Sequence, residues 1–286
     1  MNVVKTVEEV REAVRRVRQA GRSIGFVPTL GGMHEGHFSL IRAAREACDF
    51  VAVSIFLNPT QFGPKEDLAS YPSTPQADLE ASRSLGVGLV FMPTPETMHG
   101  HGALTDVTVK ALSATLCGAS RPWHFGGVCT VVAKLFNIVQ PDKAFFGSKD
   151  FQQAVIIRRM VLDLNFPVEI VVCPTVREPD GLAMSSRNAY LTPDQRRQAP
   201  ALQEAMKLAQ RLIAQRRPPA AEVVRAVREH LAAKAPEGVI DYVSLVDPET
   251  LQDVETTDRK VLVALAVKLG RARLIDNVVV EAPSSP

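Results

Sequence analysis

Residues 51–57, Val-Ala-Val-Ser-Ile-Phe-Leu, are apolar on both faces and end at Asn58-Pro59. A β-branched run of this kind has no face to give to water. It belongs in a parallel sheet covered by helices on both sides. The flanking sequence agrees. Thr6 and Glu9 form a capping box ahead of a helix whose Val7, Val10, Val14 and Val17 share one face and which Gly21 stops. A strand is expected at 24–27, then a glycine-rich turn and a helix over 37–47. Further helices over 78–85, 127–139 and 150–162 alternate with strands at 88–92, 143–146 and 168–173. Strands separated by helices imply right-handed βαβ units. The fold class is therefore α/β, with a Rossmann-like parallel sheet domain over 1–174.

The pattern changes after Pro174. A loop through Arg187 leads to helices over 193–215 and 220–234, and strands are expected at 241–246, 261–267 and 273–280. The last two strands are joined by a hairpin turn at Lys268-Leu269-Gly270-Arg271. This predicts a smaller α+β domain with an antiparallel sheet over 175–286, whose last residues, 282–286, are expected to fray.

Composition excludes several classes. Lys+Arg minus Asp+Glu is 33 − 31 = +2, which gives no whole-molecule field of the kind nucleic-acid binders use. With 46% apolar and 22% charged residues the chain is globular, not disordered. Its longest apolar stretches, such as 261–267, fall far short of the roughly 20 residues a membrane span needs. Cys48, Cys117, Cys129 and Cys173 form no Cys-x-x-Cys pair, so they read as reduced thiols packed as small hydrophobes. The N-terminus moves directly into a charged helix with no signal-peptide pattern, and the expected location is cytoplasmic.

Three segments carry chemistry. The first, Pro28-Thr29-Leu30-Gly31-Gly32-Met33-His34-Glu35-Gly36-His37, joins the first strand to its helix. Its glycines permit a tight turn and close approach to a ligand, and a helix start aims N–H groups and partial positive charge at whatever sits there. Two imidazoles beside it can hydrogen-bond phosphoryl oxygens or carry a proton to a leaving pyrophosphate. A zincin-type metal site needs histidines four apart on a formed helix, whereas His34 and His37 are three apart in a turn; no metal ligands are assigned.

The second segment, Phe146-Gly147-Ser148-Lys149-Asp150-Phe151-Gln152-Gln153, follows another strand. Lys149 offers a point charge for phosphate and Gln153 an amide for a polar substrate. By itself such a Gly-x-Lys-Asp turn is more often a solvated helix start. The third, Gly181-Leu182-Ala183-Met184-Ser185-Ser186-Arg187-Asn188, offers hydroxyls and a guanidinium suited to triphosphate oxygens, or is simply an interdomain linker. It falls at the expected domain boundary, where pockets tend to form.

Together these segments resemble the pantoate–β-alanine ligase family of the His-x-Gly-His nucleotidyltransferases. The signature is His34-Glu35-Gly36-His37, and Met184-Ser185-Ser186-Arg187 is similar to the Lys-Met-Ser-Lys-Ser loop of class I aminoacyl-tRNA synthetases. Asn58-Pro59-Thr60-Gln61-Phe62, Tyr71-Pro72 and His124-Phe125-Gly126-Gly127-Val128 match the family pattern as well, and the likeness covers nearly the whole chain in order.

The resemblance implies ATP-dependent condensation of pantoate with β-alanine through a pantoyl adenylate, releasing pyrophosphate and then AMP. ATP is a substrate, and Mg2+ is held mainly by its phosphates. His37 (the suggested proton donor), His34, Lys149 and Arg187 are the implied catalytic residues. ATP contacts are implied for Leu30, Gly31, Gly32, Met33, His34, Glu35, Gly36 and His37. They are also implied for Gly147, Ser148, Lys149, Asp150, Val176, Met184, Ser185, Ser186 and Arg187. Gln61 and Gln153 match the residues that hold pantoate, with Gln61 also facing β-alanine. The domain over 175–286 is implied to act as a lid, and family members usually pair as homodimers through the N-terminal domain. Nucleic acid and membrane are not expected partners.

Leu30 stands where the family usually has Met, a volume-conserving change, Met33 replaces a commoner Leu, and Trp123 stands where Gly is frequent. Another nucleotidyltransferase, such as a cytidylyltransferase, would share the phosphate cradle but not Gln61 and Gln153 together with 146–153. A tRNA-charging or RNA-binding module would need a basic aromatic surface, which one Trp, three Tyr and the near-zero charge do not suggest.

Overall fold

The computed structural model describes residues 1–64, 66–100 and 102–281. His101, which has no assigned role, and the tail expected to fray lie outside the described residues. The chain packs as two compact units, Met1–Ser113 with Arg121–Thr175, and Ala114–Ser120 with Val176 onward.

The elements of the first part of the chain are β1 (Asn2–Val4), α1 (Val7–Gln19), β2 (Ile24–Thr29), α2 (Glu35–Ala47), β3 (Phe50–Ile55), α3 (Pro75–Ser84), β4 (Leu89–Phe91) and α4 (Pro95–His99). They continue with α5 (Cys117–Ser120), which belongs to the second unit, then α6 (His124–Val139), β5 (Lys143–Gly147), α7 (Phe151–Asp163) and β6 (Glu169–Cys173). The six strands form one sheet in the order β1-β4-β3-β2-β5-β6, with every pair parallel. β3 is buried from Val51 to Ile55, as a run apolar on both faces requires. Phe26, Val27, Ile41, Val53, Leu89, Phe145, Ile156 and Ile157 are the heart of this core.

Strand order locates the place where a ligand can bind. From β2 the chain steps to β3 and β4 in one direction, and it later returns to lay β5 and β6 on the other side of β2. Right-handed crossovers then send the helices after β2 and β5 to opposite faces, leaving a crevice at the carboxyl ends of these two strands. The loops at that crevice are 30–34 and 147–150.

Several elements depart from expectation: α3 begins at Pro75 and the strand expected at 241–246 begins at Gly238, each three residues early, and β2 runs on to Thr29. β1 is too short to show a periodic pattern. It is tied to the sheet edge by Asn2 N–H to the Gly88 carbonyl and Met92 N–H to that of Val4, both 2.9 Å. α2 begins at Glu35, not 37, because His34 caps it. α6 begins at His124, three residues before the expected start at 127.

The second unit adds α8 (Pro193–Gln198), α9 (Ala201–Arg216), α10 (Ala220–Lys234), β7 (Gly238–Val246), β8 (Val261–Leu269) and β9 (Ala272–Val280). The last three form an antiparallel sheet in the order β7-β8-β9. Leu202, Met206, Ile213, Val223, Val227 and Leu231 pack with Val263, Leu265 and Val267. The helix expected over 193–215 is two helices, because Pro200 has no N–H to return to the carbonyl of residue 196. The 268–271 hairpin forms as expected and tightens at Gly270, whose φ is +57°.

Candidate active site

The two histidines of the first loop cap α2 reciprocally. His34 is the N-cap residue, and its Nδ1 accepts from Gly36 N–H at 3.1 Å. His37 Nδ1 accepts from His34 N–H at 3.3 Å. This is a capping box built from imidazoles in place of Ser/Thr and Glu. Its logic fixes both tautomers: a ring nitrogen that accepts a backbone N–H carries no proton, so each neutral ring holds its hydrogen on Nε2. The ring centroids lie 4.3 Å apart. Gly36 is required here for the ring, not for its own backbone. A Cβ at position 36 would stand 2.8 Å from His34 Cε1 and 2.9 Å from its Nδ1.

Where the sequence suggests free backbone donors, most N–H groups of the loop have partners within the protein. Gly31 N–H donates to Thr29 Oγ1 at 3.3 Å, and His37 and Phe38 N–H both donate to the His34 carbonyl. Gly32 and Met33 N–H each donate to the Asp78 carboxylate at 2.9 Å. The dipole field of α2 still favours negative charge at its start.

Lys149 follows β5 and lies near enough to His37 to act on its basicity. Withdrawal from water first, then the proximity of His34 and of Lys149, holds the His37 imidazole down at about 3. It is neutral at physiological pH. His124 is likewise lowered to about 4, first by burial and then by Arg121.

The linkage has one sign. In the unfolded chain these imidazoles take up protons near their ordinary pKa of about 6.5, whereas the folded groups do so only near 3 and 4. Between those limits the unfolded state binds more protons, so stability is full above about 6.5 and falls as pH drops below it. The urea midpoint should decline between pH 7 and pH 5, where carboxylates titrate little, and a flat midpoint would contradict the assignment of both rings as neutral.

The third segment of this unit is a 3-10 turn, Pro59–Gln61, capped by the buried Asn58. Asn58 Oδ1 accepts from Thr60 N–H, and its Nδ2 donates to the Gly127 carbonyl at 3.2 Å and to Gln61 Oε1 at 3.3 Å. The backbone partners are obligate, so they fix the Asn58 amide. Gln61 must therefore turn Oε1 toward Asn58, leaving its NH2 group to donate elsewhere. His99 Nε2 lies 2.9 Å from Asn58 Oδ1 and donates to it. His124 Nδ1 donates to the Gln61 carbonyl at 2.9 Å, and Arg121, paired with Glu66, donates to the same oxygen at 3.2 Å. The Trp123 indole lies over Gly63, where a Cβ would collide with it, and leaves the His124 contact intact. Gly127 has the same sense: a Cβ there would strike the Thr60 carbonyl, so α6 can reach the turn only with glycine at 127.

Asp150 acts on His124 and Lys149 on His37, so the β5 loop neighbours both the imidazole cap and the Gln61 turn. Leu30, Gly31, Gly32, Met33, His34, Glu35, Gly36, His37, Gln61, Gly147, Ser148, Lys149, Asp150 and Gln153 all belong to the first unit. Gln153 is the third residue of α7, and Ser148 Oγ meets Thr175 Oγ1 at 3.0 Å.

Val176, Met184, Ser185, Ser186 and Arg187 belong to the second unit. They are part of an ordered loop, not a plain linker. Met184 N–H donates to the Val176 carbonyl at 3.0 Å, Glu178 N–H to that of Leu182 at 2.8 Å, and Ser185 Oγ caps a 3-10 turn by accepting from Arg187 N–H at 3.3 Å.

Sequence reasoning missed two residues that hold the site. Asn58 was legible only as part of a motif, and its amide geometry needs Gly127, 69 residues away. Asp78 looked like an ordinary acid in the first turn of α3, and nothing local links it to a loop 45 and 46 residues earlier.

The His-x-Gly-His cap of α2 stands at the switch point of the parallel sheet, where open α/β sheets bind their ligands. The sequence matches the family model described as pantoate-beta-alanine ligase over residues 2–279. The pantothenate synthetase of Moorella thermoacetica is 55% identical over 281 residues, 98% of this chain and 99% of that protein. The crystal structure of pantothenate synthetase from Thermus thermophilus superimposes with a TM-score of 0.92 at 46% identity, covering 97% of this chain and 99% of that one. Pantoate-beta-alanine ligase from Francisella tularensis, solved with beta-gamma ATP and β-alanine, superimposes with a TM-score of 0.81 at 33% identity over 98% and 97%. The chain belongs to the pantoate–β-alanine ligase family.

Proposed function

We propose that the chain joins pantoate to β-alanine at the expense of ATP, through a pantoyl adenylate. A pantoate carboxylate oxygen attacks the α-phosphorus, a P–O bond forms, and the bond to pyrophosphate breaks. The β-alanine amine then attacks the acyl carbon, a C–N bond forms, the amine loses a proton, and AMP leaves. The observation that carries this reading is the imidazole cap at the switch point beside Lys149. Attack of one anion on another needs donors and positive charge at the phosphates, and here side chains supply both.

In this reading His37 and His34 donate from Nε2 to phosphoryl oxygens, and Lys149 adds a cation. His37 enters as a neutral donor; it becomes an acid only if the arriving polyphosphate raises its basicity. Leu30 to Met33, Glu35, Gly36, Gly147, Ser148 and Asp150 line the nucleotide, and Val176, Met184, Ser185, Ser186 and Arg187 are the second unit's contribution as a lid. In this reading Mg2+ belongs to the substrate, arriving as Mg·ATP. No helix of the described residues is long and apolar enough to cross a membrane. The reaction uses water-soluble substrates, and we place it in the cytoplasm. A homodimer, expected from the family, would be read by light scattering, where a monomer at micromolar concentration contradicts it.

Gln61, its NH2 group directed away from Asn58, and Gln153 are the proposed pantoate donors. Gln61→Ala or Gln153→Ala should raise KM for pantoate by about tenfold or more while KM for ATP moves little, the scale for one lost hydrogen bond to a charged group. Equal weakening of both substrates would remove them from the acid-binding pocket. AMP, not ADP, should appear with pantothenate in equal amounts; ADP formation would reject the reaction.

A further inference from the structure

Asp78 is the most deeply buried carboxylate near the loop, only 2% exposed, and it makes no ion pair among the described residues. All of its carboxylate hydrogen bonds go to two places. Oδ2 accepts from Gly32 N–H at 2.9 Å, and Oδ1 accepts from Met33 N–H at 2.9 Å and from Thr74 Oγ1–H at 3.0 Å. Thr74 is the N-cap residue of Asp78's own helix α3, so the side chain is anchored at its root and reaches across to the loop.

The loop needs that anchor. Gly31 and Gly32 have φ of +88° and +61°, conformations a glycine pair leaves as readily as it enters. The segment before α3 closes over the same place: a Cβ on Gly32 would stand 2.6 Å from the Pro72 carbonyl oxygen. His34 follows Met33 directly, and its backbone N–H and ring are the two halves of the imidazole cap. A shift of the Gly32-Met33 peptide therefore passes to His34 and through it to His37.

We propose that Asp78 is a positioning residue for adenylate formation: its carboxylate holds the Gly32-Met33 peptides so that the His34–His37 cap presents its Nε2–H groups in register. It rests on the functional reading above. It also explains why a carboxylate is placed beside a site for an anionic ligand. By taking the Gly32 and Met33 N–H groups it withdraws them from phosphate binding and leaves that task to the imidazoles and Lys149.

Asp78→Asn keeps the shape but turns one acceptor into an NH2 donor, so one of the two backbone N–H groups faces a donor. Two rates separate positioning from general damage: first-turnover pyrophosphate release with ATP and pantoate, and amide formation from supplied pantoyl adenylate and β-alanine. Misplacement on the order of an ångström costs about 10²-fold, so the first rate should fall by roughly 10- to 100-fold, and the second by less than about threefold. Should Asp78→Asn fail to fold, Thr74→Val removes a single hydrogen bond from the carboxylate and should slow pyrophosphate release by about two- to fivefold, again sparing the amide step. A normal first rate, or equal loss in both steps, overturns the proposal. Wild-type protein that releases no pyrophosphate fails the functional reading instead, which keeps the two outcomes apart.

Discussion

His37→Ala is expected to slow pyrophosphate release by about 10² or more with the fold intact, the scale for removing one group that stabilises charge at the reacting phosphate. Two losses combine. The Nε2–H donor disappears, and so does the Nδ1 acceptor that pairs with His34 N–H at 3.3 Å. The second loss is that of a helix cap and costs about 1 kcal/mol of stability, a small drop in thermal midpoint for a core of this size. Stopped-flow pyrophosphate detection beside a melting curve reads both. A near-normal rate removes His37 from the chemistry, and a collapse of the midpoint would assign it to the scaffold.

Gly36→Ala should separate stability from activity in the opposite way. Position 36 is helical and its φ is not in the left-handed region, so alanine fits the backbone and gains about 0.5–1 kcal/mol over glycine. The new Cβ would lie 2.8 Å from His34 Cε1, so the ring must leave its place and give up the hydrogen bond from residue 36. That lost cap costs about as much as the alanine gains. The expected outcome is a thermal midpoint within a few degrees of wild type and adenylation slowed by roughly 10²-fold. A variant with full activity would show that the His34 orientation does not matter, and the imidazole cap would then be a helix device without chemical use.

The parallel sheet was legible because 51–57 and its companion runs have the period and composition of strands buried on both faces. The His34–His37 segment was legible as a site from residue types alone. What could not be read was how its polar groups are spent. A glycine-rich turn before a helix looks like a set of free backbone donors, and only the fold shows that Asp78 and the two imidazoles have taken most of them. The same holds for Gln61, whose amide direction is set by Thr60 and Gly127 acting through Asn58. Long-range partners of this kind leave no periodic trace. The break at Pro200 did leave one in the sequence, but the helical pattern on both sides masked it.

One experiment bears on the central claim more directly than any substitution. Protein mixed with Mg·ATP and pantoate, without β-alanine, should release about one equivalent of pyrophosphate per site and no AMP; AMP and pantothenate should follow only when β-alanine is added. Pyrophosphate that appears only in the presence of β-alanine would contradict an adenylate formed at the imidazole cap.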